Sequence, residues 1–325
     1  MNFPTAKERL RPLLLMALLT LATGPLFAKS LLPDCKKDLT QANYPALMAQ
    51  FNADLAKVKQ DGCNTDLQAF YEGLAKWEYV KELQNWARLE PKNHVPWTAI
   101  GMACLSEGDK YRGTDYIKTV SKADLKVFYQ CLDSAKSYLD RATQLNPDDP
   151  EPYTALLEIG LHEGWSTGHM EPFFQKALQS APGYESAVWT MGLHHSPLWG
   201  GSDHRMNQFV SEYCRTAPKG SYLRLLVVRY HEEIWKTRNC DRNYFAGDSR
   251  PWREVKQEFE DYLAIHPDDL STRSWYSSLA FSGEHFVEAK QQFDVLGDRW
   301  DANSSHWLTQ QGYMTAKRIA NHFAR

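Results

Sequence analysis

The chain has 325 residues, of which 43% are hydrophobic, 13% aromatic and 24% charged, with a formal net charge of −3. That balance, without a basic patch, excludes an electropositive nucleic-acid groove, and the length is enough for one elongated domain or two compact ones. Beyond the first 28 residues no stretch is long and apolar enough to span a bilayer.

Residues 1–28 read as a secretory signal peptide. Lys7, Arg9 and Arg11 supply the positive start, Leu13 to Phe27 is an apolar stretch broken late by Gly24 and Pro25, and Ala28 precedes the cut. The apolar run falls short of the roughly 20 residues of a membrane anchor. Export with cleavage is therefore expected, to the periplasm or outside the cell. The mature chain, 29–325, is read as one domain of net charge −5, because the removed segment carries three basic residues and one acidic one.

Helical patterning follows a short linker. Pro45 suits a first helical turn, Leu47, Phe51, Leu55 and Val58 recur at helical spacing, and Gly62 ends the run. A second helix is predicted from about Asp66 through Phe70, Leu74 and Trp77. No segment alternates apolar and polar residues as a strand requires. The expected fold class is all-α.

A proline followed by a large aromatic then recurs five times. The pairs are Pro91 and Trp97, Pro147 and Tyr153, Pro182 and Trp189, Pro218 and Tyr222, and Pro267 and Trp275, at proline intervals of 56, 35, 36 and 49 residues. Two intervals lie close to the tetratricopeptide period of about 34 residues. The expectation is a tetratricopeptide-like helical-hairpin array, an α-solenoid, with irregular repeats. In the first unit, Trp97, Ile100, Gly101 and Cys104 follow the first-helix spacing, and the glycine lets a neighbouring helix approach. The long interval implies an insertion, assigned to Tyr111 through Lys126 as a loop plus a short helix, before a partner helix from about Val127 to Leu145. The next units pair Tyr153–His162 with Pro172–Ser180, and Trp189–His194 with Asp203–Arg215. The last is the best match: Leu279, Ala280, Gly283, Phe286, Ala289 and Phe293 reproduce helix, turn and helix. Trp307 to Phe323 resembles a terminal cap. Most of the large aromatics are expected between stacked hairpins.

Six cysteines in an exported chain favour disulfides over metal or redox sites. Sequential pairing joins Cys35 with Cys63, Cys104 with Cys131 and Cys214 with Cys240. A helix from Tyr222 to Lys236 would be roughly 22 Å long, so the third pair requires that helix to stop early, whereas the first two have segments that can double back.

No catalytic apparatus rises above chance. Gly164-Trp-Ser166-Thr-Gly168 matches the Gly-x-Ser-x-Gly of serine hydrolases, but a helical pattern precedes it where that motif needs a strand, so it reads as the turn of a hairpin. His231-Glu-Glu-Ile-Trp235 lacks the second histidine of a zinc-protease helix. His162, His169, His194, His195 and His204 cluster in sequence near Glu158, Glu163 and Asp203. Adjacent hairpins would bring the 162–169 and 194–204 loops to one end, yet no spacing fixes three or four metal ligands. No metal and no cofactor is expected. The loop Pro197-Leu-Trp199-Gly200-Gly201-Ser202 stands out. Two glycines allow unusual backbone, and Ser202 can cap the following helix, whose N–H groups offer an anion or carboxylate site. Against this, Trp199 could simply plug the core.

This loop, the insertion after the Trp97 helix, and the Leu279 to Phe293 unit with Trp300 and Trp307 beyond it together resemble a bacterial family, domain-of-unknown-function family 4034. The likeness spans roughly Leu47 to Trp307. It implies a tetratricopeptide-like architecture and supplies no reaction and no catalytic residues.

The functional expectation is an exported repeat protein that binds a protein or peptide partner, with Trp199, Gly200, Gly201, Ser202, His194 and His195 as candidate contacts. One alternative is an α/α-barrel-type enzyme acting on polysaccharide, which would need two convergent carboxylates. Another is metal binding through the 162–204 histidines.

Overall fold

A computed structural model describes residues 35–61, 65–113, 117–241, 243–300, 306–307 and 309–324. The signal-peptide reading and Cys63 lie outside them. The described residues form fifteen α-helices and three short 3-10 turns, without a strand. The all-α expectation is borne out, and the helices pack in sequence order as an array of hairpins.

Where the sequence reads as one repeat domain, the chain divides by its internal packing into two compact units, the first ending at Tyr213 and the second beginning at Cys214. The first holds α1 (Cys35–Thr40), α2 (Tyr44–Asp61), α3 (Thr65–Leu74), α4 (Val80–Leu89), α5 (Val95–Arg112), α6 (Lys122–Leu145), α7 (Glu151–Glu163), α8 (Thr167–Ser180), α9 (Glu185–His194) and α10 (Asp203–Tyr213). The second holds α11 (Tyr222–Thr237), α12 (Arg250–Ile265), α13 (Leu270–Ser282), α14 (Phe286–Leu296) and α15 (Gln310–Phe323). In the first unit, α5 pairs with α6, α7 with α8 and α9 with α10, while α3, α5, α7 and α9 also touch in turn.

The proline marks fall in the turns between hairpins, four of them directly after the helix-capping residues Glu90, Asn146, Ala181 and His266. Proline cannot continue a helix, so the second helix of each pair stops there. Gly101 plays its expected part: a Cβ there would stand 2.7 Å from Leu139 Cγ, so α5 and α6 approach closely only because it is absent.

Several boundaries differ from the sequence reading: α8 begins at Thr167 and carries Pro172 in its interior instead of starting there, α9 begins at Glu185 rather than Trp189, and two larger departures follow. The insertion is not mainly a loop. α5 continues to Arg112 and α6 begins at Lys122, giving helices of 18 and 24 residues, and the described residues between them hold one 3-10 turn, Ile117–Thr119. Ser121 sets the early start, accepting from the Asp124 N–H at 3.1 Å while donating to its carboxylate at 2.7 Å. The second predicted helix stops at Leu74 rather than running through Trp77. A 3-10 turn at Trp77–Tyr79 redirects the chain into α4. That break leaves Trp77 50% exposed while Leu83 and Trp86 reach the core.

The second unit's core is aromatic, with Trp235, Trp252, Phe259, Trp275, Phe293 and Tyr313 buried together. Its best-matching repeat holds: Leu279, Ala280, Ala289 and Phe293 are all buried. α15 begins at Gln310, three residues after Trp307, capped by Thr309.

Candidate functional site

The 194–202 loop is a tight structure. Pro197–Trp199 forms a 3-10 turn that Gly200 closes in the left-handed region, at φ 84°. Gly201 has no room for a side chain, since a Cβ would lie 2.0 Å from the His195 carbonyl oxygen. The Gly201 N–H bonds to Ser196 O at 2.9 Å and the Ser202 N–H to His195 O at 3.0 Å. Ser202 caps α10, its hydroxyl accepting from the Arg205 N–H at 3.2 Å. Of the α10 N–H groups proposed for an anion, that of Arg205 is thus taken up by Ser202, and Asp203 places a negative charge in the first turn.

The predicted meeting of the two histidine-bearing loops occurs. Thr167 and His194 Nε2 are 2.9 Å apart, and the Trp199 ring lies edge-on to His162 at 5.9 Å. Trp199 is half-buried and does not plug a core. His162 is the pivot of this corner. Its ring also meets Phe128 at 5.3 Å, and its Nε2 lies 3.5 Å from Asp109 Oδ1. His195 packs instead against His194 and Phe209. Burial holds His162, His194 and His195 below the ordinary histidine range, with Arg112 adding at His162, Arg205 at His194, and His194 and Arg205 at His195; Asp109 opposes the shift at His162. Among the described residues no three histidine, cysteine or acidic side chains converge as a metal site.

A row of acids next to this corner was missed. Glu72 on α3, Asp109 on α5 and Glu158 on α7 lie on the helices that touch in succession. Glu158 reaches solvent, yet the surrounding helices exclude enough water to push its carboxyl up to about 7, and Asp109 and Glu72 push it the same way. Burial raises Asp109 and Glu72 as well. Among the described residues none of the three forms a salt bridge with a lysine or arginine, although His162 and Arg112 oppose the rise at Asp109 and Lys76 opposes it at Glu72; Glu158 has no such opposing charge. One sequence signal existed. Glu158 is the one charged residue in the apolar run from Tyr153 to Leu161 and its one exposed position.

Beneath the row lies a buried polar chain. Tyr71 donates to Asp149 Oδ2 at 2.5 Å, His94 Nε2 lies 3.1 Å from the same oxygen, and Asp149 Oδ1 receives the Glu151 N–H at 3.0 Å. Tyr184 donates to Glu151. Burial pushes the Glu151 carboxyl up to about 8, helped by Asp149, Glu158 and Glu72 and opposed by the Tyr184 bond. These groups tie the starts of α5, α7 and α9 to α3, which reads as a structural role.

The rejected motifs have structural explanations. Gly164 is the left-handed cap of α7, and Ser166 precedes α8, so no strand delivers the serine. His231 lies within α11, with Nε2 3.0 Å from Glu254 and Nδ1 2.8 Å from the Tyr244 hydroxyl. Glu254 also accepts from Arg215 at 2.7 Å and Arg250 at 2.9 Å.

The expected Cys104–Cys131 bridge is not closed; both carry free thiols. Cys131 backs onto α5 at Gly108, one turn beyond Cys104, which offsets the two sulphurs along the helix contact. The Cys35–Cys63 pair lies partly outside the described residues. α11 runs unbroken for 16 residues between Cys214 and Cys240, and Cys240 is a free thiol.

Comparison with known proteins adds no relative: no family model, no curated protein and no solved structure matches the chain.

Proposed function

We propose that this is an exported, tetratricopeptide-like protein, akin to domain-of-unknown-function family 4034, whose first unit binds a lysine- or arginine-bearing segment of a protein or peptide. The observation that supports this reading is the row of Glu72, Asp109 and Glu158. Glu158, whose proton affinity is raised by burial and by Asp109 and Glu72, is held at a cost, and an incoming cation relieves it by supplying the missing counter-charge. Trp199 and His162 add an aromatic edge beside the Asp109 end, suited to the stem or head of a basic side chain.

The test uses the mature protein and two extended peptides of equal length, one carrying alternating lysine and arginine and one carrying glutamate in their place. Calorimetry is expected to show binding of the basic peptide alone, weakening as salt rises from 50 to 300 mM. Glu72→Gln with Asp109→Asn and Glu158→Gln should abolish it while leaving the circular dichroism spectrum unchanged. Equal binding of the acidic peptide, or binding indifferent to the triple substitution, would falsify the reading. Turnover of an oligosaccharide by the mature protein would replace it with the polysaccharide-enzyme alternative.

A further inference from the structure

Two thiols in the first unit are placed to react with each other. Cys104 on α5 and Cys131 on α6 are both unbridged. The two helices are drawn together at glycines on α5, and a Cβ at Gly108 would stand 3.0 Å from Cys131 Cβ. Cys104 precedes Gly108 by four residues, so it lies on the same strip of α5, about 6 Å back along the axis. Cys131 adds to burial in pushing the Cys104 thiol up to about 11, so the two groups already sense each other. Their access differs: Cys104 is 5% exposed, whereas Cys131 is only half-buried.

We infer that Cys104 and Cys131 form a reversible disulfide that staples α5 to α6 when the protein meets an oxidised thiol compound, and that the staple sets the corner where Asp109, Phe128 and His162 meet. The more accessible Cys131 reacts first. Its thiolate attacks one sulphur of the small disulfide, that S–S bond breaks, and one thiolate leaves, giving a mixed disulfide on Cys131. Cys104 then gives up its proton to water and attacks the Cys131 sulphur, expelling the second thiolate. Two protein thiols are oxidised by two electrons, and one small disulfide is reduced to two thiols. Closure requires Cβ atoms within about 4.5 Å, so α5 and α6 must slide by part of a turn. Asp109 directly follows Gly108, and Phe128, three residues before Cys131, carries the ring that meets His162. The slide therefore moves one acid of the row relative to its neighbours. The chemistry stands by itself; its consequence for binding rests on the reading of the acidic row.

The mature chain is incubated with oxidised glutathione or with dithiothreitol, trapped with N-ethylmaleimide, digested without reduction and mapped by mass spectrometry. The expected result is a peptide cross-linked through Cys104 and Cys131 in the oxidised sample only. The oxidised protein should melt about 5 °C higher than the reduced one, a rise absent in Cys131→Ser. Recovery of both cysteines as maleimide adducts, or of Cys131 only as its glutathione adduct, would overturn the staple. The basic peptide is then titrated into both forms. A difference in affinity of at least threefold that vanishes in Cys131→Ser supports the corner claim, and equal affinity overturns it. Failure of both forms to bind the peptide defeats the binding reading and the corner claim, leaving the staple to be judged by the cross-link and the melting shift.

Discussion

The two units handle acidic side chains in opposite ways. In the second unit, Glu254 accepts from His231, Arg215 and Arg250, and these partners hold it well below the ordinary carboxylate range. Glu288 is likewise lowered: burial, the largest single influence, raises it, but the 2.8 Å contact with Lys256, a backbone hydrogen bond and His285 together outweigh that. In the first unit, Glu72, Asp109, Glu151 and Glu158 are all raised, with burial the largest cause each time. The division is not absolute, since in the second unit burial pushes Glu232 up to about 7 and raises Glu258 in spite of its 2.8 Å contact with Arg224. The contrast teaches that one hairpin scaffold serves two ends. Acids saturated by fixed cations brace the helices, while Glu158, which no basic side chain offsets, keeps a negative potential when ionised.

The largest expected effect separates the units by pH. Glu151 has a folded-state value of about 8 against an ordinary 4.5. The folded state therefore holds a proton that the unfolded state has lost across that window, so the first unit should lose stability as pH rises from 4.5 to 8, by on the order of 4 kcal/mol. Glu254 is lowered, so its contribution is complete above 4.5 and is lost on further acidification. Hydrogen exchange followed by mass spectrometry from pH 4 to 9 should show protection falling in both units, further and to higher pH in the first, because Glu151 is raised to about 8 and Glu232 in the second only to about 7. Glu151→Gln should flatten the trend of the first. Losses of equal size and range would break the comparison.

Next in size is Gly201→Ala. With the His195 carbonyl oxygen 2.0 Å from the added carbon, the 194–202 loop must be rebuilt, at about 3 kcal/mol by denaturant titration. Trp199→Ala, at a half-buried ring, should cost only about 1 kcal/mol while weakening the basic peptide.

A third pair of substitutions sharpens the contrast directly. Glu254→Gln leaves two arginines without their shared acid and should destabilise the second unit by about 2 kcal/mol. Glu158→Gln removes an acid without a fixed partner and should change stability by less than about 0.5 kcal/mol at pH 6, and increase it at pH 8.5. Equal losses from the two would show that Glu158 is braced like Glu254.

Much of the frame was readable without coordinates. The proline marks located the turns because a proline directly after a helix cap does not extend the helix before it, whereas Pro172 is accommodated inside α8. Small residues in phase located the tight contacts at Gly101, Ala280 and Ala289, because close approach depends on side-chain size alone. Ser202 was recognisable as a cap for the same local reason. The insertion was misjudged because Gly113 and Ser121 leave room for two long helices, and propensity alone did not say how far each would extend. The acidic row was missed because Glu72, Asp109 and Glu158 are far apart in sequence and share no spacing.

The amino-acid sequence by itself determined the helices, most of their ends, the pairing into hairpins and the glycine-bound loop at 200–202, all set by interactions within a few turns of chain. Only the tertiary structure decided which charges are neutralised and which are not. It placed His231 against Glu254, Tyr184 against Glu151, and Glu158 beside two other acids with no lysine or arginine in reach. A carboxylate's charge state depends on the water and counter-charges around it, and those are supplied by residues that the chain brings together only on folding.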